Sequence, residues 1–328
     1  MDQTIIDGQT YTLTFDYEFD SLNAWQGHGS SGVWATSFSP HLDDTRYIDR
    51  NGESQYYVDP DDTNLPNSFS VDDGFLSIEA IPLDQDQQIL AGGQEYASGL
   101  LTTEMTFQME YGYVEIRADV PDEQGFLSAL WLLPADGDWS AEIDVFEILG
   151  SNTDGTNTNV WEDGVPNEDY IAVPDLGDGM HTYGVLWTET EISWIVDGEV
   201  IRVVENTVNE PMFLALSLAV DTNWTGPTDG TTDYSDTFSI DYVRAYEFTE
   251  ENNAFIESAD DFVSAISYDG THADDVLFGT SWADTINSGH GDDVIYGRDG
   301  DDILRARNGT DEIFGGAGDD KLVGGRKS

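Results

Sequence analysis

The sequence predicts an all-β protein in two parts: a two-sheet β-sandwich followed by a parallel β-roll. Three observations carry this. Short β-branched and aromatic runs recur between Gly, Asp and Asn clusters over residues 10–248. No amphipathic helix of three or more turns interrupts them. From Gly270 onward a nine-residue period takes over. At 328 residues the chain is long enough for one large core and a smaller module. The domains read as 1–248, a linker at 249–267 with room for a short helix, and repeats at 268–328.

In chain order, the expected strands are Thr10–Phe15, Phe75–Ile81, Gly112–Val120, Ala129–Leu133, Ala141–Ile148, Thr182–Trp187, Ile192–Val204 and Phe238–Tyr246. Ile192–Val204 reads as a hairpin, because Asp197-Gly198 suits the positive φ angles of a type I′ turn. Many antiparallel strands within this length favour a sandwich. Trp187 and Trp194 read as core.

The repeat units begin at Gly270, Gly279, Ser288, Gly297, Ala306 and Gly315. Each places an aspartate sixth (Asp275, Asp284, Asp293, Asp302, Asp311, Asp320) and an aliphatic residue two further on. The aliphatic residues would stack inward from turn to turn. The glycine-rich halves would make sharp bends whose carbonyls, with the aspartates, offer hard oxygen ligands suited to calcium.

The charge is lopsided: 66 acidic against 11 basic side chains, net −55. Residues 1–250 contain no lysine and only the arginines at 46, 50, 117, 202 and 244. Such a surface excludes nucleic acid and anionic membranes as partners and needs salt or bound cations to screen its self-repulsion. Aromatic residues are too plentiful for a disordered acidic tail. With no cysteine, disulfides and thiolate metal sites are excluded, and the five histidines are scattered without metal-ligand spacing. No stretch reaches membrane-spanning length, and the N-terminus does not read as a cleavable signal peptide.

Three carboxylates fall within six residues, at Glu142, Asp144 and Glu147, in the apolar run Trp139-Ser-Ala-Glu-Ile-Asp-Val-Phe-Glu-Ile-Leu-Gly150. In so acidic a chain this spacing arises by chance about two or three times. Its apolar setting, where ionised groups are costly, is what singles it out. In a flat strand Glu142 and Asp144 share a face and Glu147 points away; one extra residue in a β-bulge would bring all three together.

Around this triplet several stretches resemble glycoside hydrolase family 16, the β-jelly-roll enzymes that cleave laminarin, mixed-linkage glucans, agars and related polymers. Glu142-x-Asp144-x-x-Glu147 matches the bulged motif of its laminarinase-like members. Tyr111-Gly-Tyr-Val-Glu-Ile-Arg117 and Gly125-Phe-Leu-Ser-Ala-Leu-Trp-Leu-Leu-Pro134 match the preceding strands. Asn51-Gly-Glu-Ser-Gln-Tyr-Tyr57, Tyr96-Ala-Ser-Gly99, His181-Thr-Tyr-Gly184, Val196-Asp-Gly198 and Ile240-Asp-Tyr-Val-Arg-Ala-Tyr246 fit as well. The resemblance covers about residues 12–248, and exopolysaccharide-cleaving β-glycanases that also carry repeats of this kind look most similar.

The resemblance implies Glu142 as nucleophile, Glu147 as general acid/base and Asp144 tuning the pair. A retaining mechanism asks for two carboxyl groups about 5–5.5 Å apart. It also implies substrate contacts at Asn51, Trp131, Trp139, Asn159 and Trp161, and a structural calcium held by Glu18 and Asp241. Leu127 stands where many relatives have tryptophan, and Ser217 and Asp221 replace a common asparagine and glycine, which bears on substrate rather than reaction class. The repeats resemble the RTX nonapeptide, which implies calcium at the six aspartates, type I export and folding outside the cell. The chain stops at Gly324-Gly-Arg-Lys-Ser328 without the extension that usually carries such a signal, so the reading leaves a fragment open.

The implied protein is a secreted, retaining, monomeric endo-β-glycanase. β-1,3- or mixed β-1,3/1,4-glucan is the first substrate. An acidic bacterial exopolysaccharide or a galactan is the second reading, and a non-catalytic calcium-dependent carbohydrate-binding protein the third.

Overall fold

A computed structural model of the chain describes residues 3–6, 9–25, 32–38, 46–48, 51–136, 139–162, 164–248, 267–269, 276–278, 283–291, 293–297, 300–316 and 318–325. Most of the expected linker and Asp275 lie outside the described residues. The chain forms two compact units, Tyr17–Val243 and Met1–Asp16 with Arg244–Ser328, so the division falls at Val243 where the sequence places it at 248.

The larger unit is a sandwich. One eight-stranded sheet runs in spatial order Val165–Ala172, Asn152–Glu162, Ala141–Leu149, Phe126–Pro134, Met212–Val220, Leu100–Thr102, Trp34–Ala35 and Ala24–Trp25. Within this unit the second sheet runs Glu199–Glu205, Glu191–Val196, His181–Trp187, Gly112–Asp119 and Phe238–Phe248, with Phe75–Ile78 and Phe69–Asp72 beyond. Alternate side chains of facing strands fill the space between the sheets. Phe146 of the first sheet packs on Tyr183 of the second, ring centroids 4.4 Å apart, and on Phe238 at 6.1 Å.

Local chemistry explains the connections. Asp197 and Gly198 both take positive φ (48° and 80°), giving the tight hairpin that Asp-Gly favours. Among the described residues the one helix, Gln85–Leu90, is opened by a capping box between Asp84 and Gln87. Trp187 and Trp194 are fully buried.

In the smaller unit, nine-residue segments alternate between two parallel stacks. Ser267–Asp269, Thr285–Asn287, Ile303–Arg305 and Lys321–Val323 form one; Val276–Phe278, Val294–Tyr296 and Glu312–Phe314 stack together in the other. Each stacked neighbour is 18 residues on, so one turn of the roll takes two repeat units. Leu277, Ile286, Ile295 and Leu304 stack inward as the period requires, with Ile313 packed on them and Leu322 on the exposed last rung. The bends need glycine: a Cβ at Gly309 or Gly318 would collide with the carbonyl of Gly291 or Gly300 on the rung before.

Candidate active site

The strand Ala141–Leu149 lies between Phe126–Pro134 and Asn152–Glu162, the former paired through consecutive residues until the register slips. Leu130 faces Phe146, and the next residue, Trp131, faces Asp144, so Val145 is the extra residue of a bulge. The same irregularity appears on the other side, where Asp144 faces Asn159 and Glu147 faces Asn157. Phe146 and Ile148 keep their places in the core, while Glu142, Asp144 and Glu147 all line one cleft on the sheet's outer face. The Trp194 indole, from the second sheet, reaches into the bulge and donates to the Asp144 carbonyl at 2.7 Å. A buried carbonyl released from the ladder by the bulge thereby keeps a donor.

The first cleft segment encloses about 450 Å³, and every expected contact in the sandwich meets there: Asn51, Trp131, Trp139, Asn159 and Trp161 line it with the three acids. Trp131 and Trp139 stack at 5.5 Å, and Phe38 braces both. The Trp139 indole N–H donates to Glu142 Oε2 at 2.7 Å, fixing where that carboxylate points. A second segment of about 600 Å³ lies beyond Glu147, lined by Asn157, Glu168, Tyr170, Asn223 and Trp224. The cleft thus continues past the acids.

Burial governs the electrostatics. Glu147 is pushed from the ordinary 4.5 up to about 8, first by desolvation and then by the charges of Glu142 and Glu168. Asp144 is raised well above the usual carboxylate range, by desolvation first and then by Glu142 and Glu147, with an opposing hydrogen bond from Asn159. At neutral pH the Glu147 carboxyl therefore retains its proton. The arrangement offers a carboxyl able to donate a proton beside a carboxylate held by an indole.

Sequence reasoning missed several residues here. Trp224 stands more than half exposed in the cleft wall, and its signal was a bulky aromatic in a turn-rich segment. Glu168 came from an acidic stretch with nothing to distinguish it. Glu53 is buried, where it accepts from Ile48 N–H at 2.8 Å and Gln55 Nε2 at 2.6 Å. Gln55 and Ser217 in turn hydrogen-bond Tyr57, bracing the cleft floor. Leu127 and Ser217, two of the departures noted in the sequence, both line the cleft.

Asp241 gives one carboxylate oxygen to the Arg117 guanidinium, and Glu18 is exposed.

The repeat aspartates behave differently. Oδ1 of Asp302, Asp311 and Asp320 accepts the backbone N–H of Asp284 (2.7 Å), Asp293 (3.1 Å) and Asp302 (3.0 Å), one rung earlier. Oδ2 of Asp302 and Asp311 is buried and meets no donor. Desolvation, with the charges of Asp284, Asp320 and Asp301, lifts Asp302 to about 6 against the pull of the Asp284 N–H. Buried carboxylate oxygens without donors fit calcium.

Comparison with known proteins agrees with this geometry. Residues 68–244 match the family model described as Glycosyl hydrolases family 16, and residues 269–304 and 296–326 match the RTX calcium-binding nonapeptide repeat. The chain is 39% identical over 256 residues to the endo-1,3-1,4-beta-glycanase ExsH of Rhizobium meliloti, covering 74% of this chain and 53% of that protein. It is 38% identical to the endo-1,3-1,4-beta-glycanase EglC of the same organism, with the same coverage. The chain spans about half the length of these curated relatives. Among solved structures, the laminarinase catalytic domain of Thermotoga maritima aligns with TM-score 0.60 at 28% identity, over 73% of this chain and 99% of that one. The endo-beta-1,3-glucanase of Pyrococcus furiosus aligns with TM-score 0.61 at 26% identity, over 76% and 99%.

Proposed function

Because the chain belongs to family 16 of the glycosyl hydrolases, we propose that it is a retaining endo-β-glycanase acting on a neutral β-1,3- or mixed β-1,3/1,4-glucan. The observation that carries this is the bulge that gathers Glu142, Asp144 and Glu147 on one cleft face, with Glu147 holding its proton to about pH 8.

In the first step the Glu142 carboxylate attacks the anomeric carbon, and Glu147 gives its proton to the glycosidic oxygen as the C–O bond breaks. In the second, Glu147, now ionised, takes a proton from water; that water attacks the same carbon and releases Glu142, so both groups return to their starting states. Trp139 aims the nucleophile. Asp144, buried between the two with its acidity weakened by burial and by both neighbours, tunes the pair. The cleft extending on both sides of the acids supports cleavage inside a polymer. Glu53, Glu142 and Glu168 line it, which favours an uncharged chain over an acidic one. The names of the similar Rhizobium proteins support mixed linkage.

The repeats are taken to bind calcium through Asp284, Asp293, Asp302, Asp311 and Asp320, and Asp275 by extension of the register. Without ions the segment is a self-repelling acidic chain; with them binding energy becomes folding energy. A protein that folds only where calcium is plentiful suits export and work outside the cell. No described helix is long and apolar enough to cross a membrane.

The test is a panel of laminarin, barley β-glucan, agarose and an acidic bacterial exopolysaccharide, assayed for new reducing ends. Activity on the first two is expected. Binding without hydrolysis on every polymer would overturn the enzymatic reading in favour of a carbohydrate-binding protein.

A further inference from the structure

The strand Val165–Ala172 is the outermost of the eight-stranded sheet and is exposed along nearly its whole length. Its register sets Glu168 opposite Asn159, which itself faces Asp144; the next row runs Glu147, Asn157, Tyr170. Directly opposed residues of antiparallel strands share a face. Glu168 therefore stands on the same face as the acids, two strands away, and lines both segments of the cleft together with Glu147. Strands lie about 4.8 Å apart, so the intervening distance is about 10 Å at the backbone.

The charges around Glu147 leave Glu168 with a particular task. On its own strand stand Glu142 and Asp144. The facing strand Phe126–Pro134 brings Ala129 and Trp131, both uncharged. Asn152–Glu162 brings the neutral Asn157 and Asn159, and the loops bring Glu53, Thr222, Asn223 and Trp224. On the outer strand, Asp169 also lines the second cleft segment, and it acts on Arg202. That arginine is bonded to Thr158 and Asn167, positions of the opposite parity in the register. Among the described residues no hydrogen bond or ion pair engages the Glu168 side chain, which stands exposed. After desolvation and Glu142, Glu168 is the next influence raising Glu147.

We propose that Glu168 is a positioning residue for the acid step: its exposed carboxylate, on the face of Glu147 across Asn157 and Asn159, keeps the catalytic proton in place and sets the alkaline limit of hydrolysis. The inference rests on the assignment of Glu147 as the acid. Unlike Glu142, which must be spent in the attack, Glu168 is a negative charge that persists through both chemical steps. It is also exposed, so its influence is screened by salt, in contrast to the buried groups.

The experiment is the pH profile of kcat/KM on barley β-glucan for wild type, Glu168→Gln and Glu168→Asp, at about 20 mM and about 1 M NaCl. Low salt should show the alkaline limb of Glu168→Gln displaced to lower pH by roughly 0.3–1 unit. Glu168→Asp should keep most of the wild-type position. High salt should draw the wild-type limb towards that of Glu168→Gln. The position of the limb, not the height of the plateau, reads the proposal. Coincident limbs at low salt overturn it, as does a raised KM with an unmoved limb, which would make Glu168 only a substrate contact. Should wild type cleave no β-glucan, the proposed function fails. The carboxyl titration of Glu147 by carbon NMR, in wild type and Glu168→Gln, then reads the influence of Glu168 directly, and equal midpoints refute it.

Discussion

The cleft and the repeats both bury carboxylates in a chain that already carries 66 acidic side chains, and they do so to opposite ends. In the cleft, burial raises Asp144 and Glu147 alike, and Glu147 escapes the cost of a buried charge by keeping its proton to about pH 8. In the repeats, each of three aspartates spends one oxygen on a backbone N–H of the rung before, and in Asp302 and Asp311 the other oxygen is buried without a donor. One arrangement holds a proton; the other leaves buried carboxylate oxygens of the kind that suit a cation. The difference lies in the backbone. A single bulge creates one unrepeatable crowding of acids, whereas an 18-residue turn creates the same half-satisfied carboxylate again and again.

The comparison can be broken most forcefully at the cleft. Glu142→Gln and Glu147→Gln are each expected to lower kcat on β-glucan by roughly 100- to 10,000-fold while circular dichroism stays that of wild type. Near-normal turnover in either variant would remove it from the mechanism.

A second expectation concerns stability. The folded-state pKa of Glu147 is raised, so the stability attached to its protonated form is complete below about 4.5 and is lost as pH rises towards about 8. Glu147→Gln keeps a neutral side chain throughout. Thermal unfolding should show the variant more stable than wild type at pH 7, by on the order of 3 kcal/mol, and level with it near pH 4. A gain of equal size at both pH values would mean that the carboxyl is not held protonated.

At the repeats the effect should be smaller and of another kind. Asp302→Asn and Asp311→Asn are expected to raise the calcium concentration that half-restores β-structure in the full chain by roughly 10-fold, leaving the cleft's pH profile where it was. No dependence of the dichroism on calcium would show that the bare oxygens are not ligands.

Much of this was legible in residues. The repeat register foretold which side chains stack inward, from Leu277 to Ile313. The five-residue gap from Glu142 to Glu147 foretold the bulge. The strands on either side of the triplet were harder. Asn152–Glu162 carries Asn, Asp and Gly, poor strand formers, and several of its residues face a polar cleft. Val165–Ala172 carries a proline, tolerated because it is an edge strand. Met212–Val220 lacks alternation because it is buried on both faces. The ion pair of Asp241 was not legible: Arg117, remote in sequence, arrives at its carboxylate only in the fold.

The central claim is that the bulged strand holds Glu147 protonated at neutral pH beside an aimed Glu142. Carbon NMR titration of the glutamate side-chain carboxyls, with Glu147 assigned by its loss in Glu147→Gln, tests it most directly. A midpoint near 8 is predicted; a midpoint near the ordinary 4.5 would contradict it.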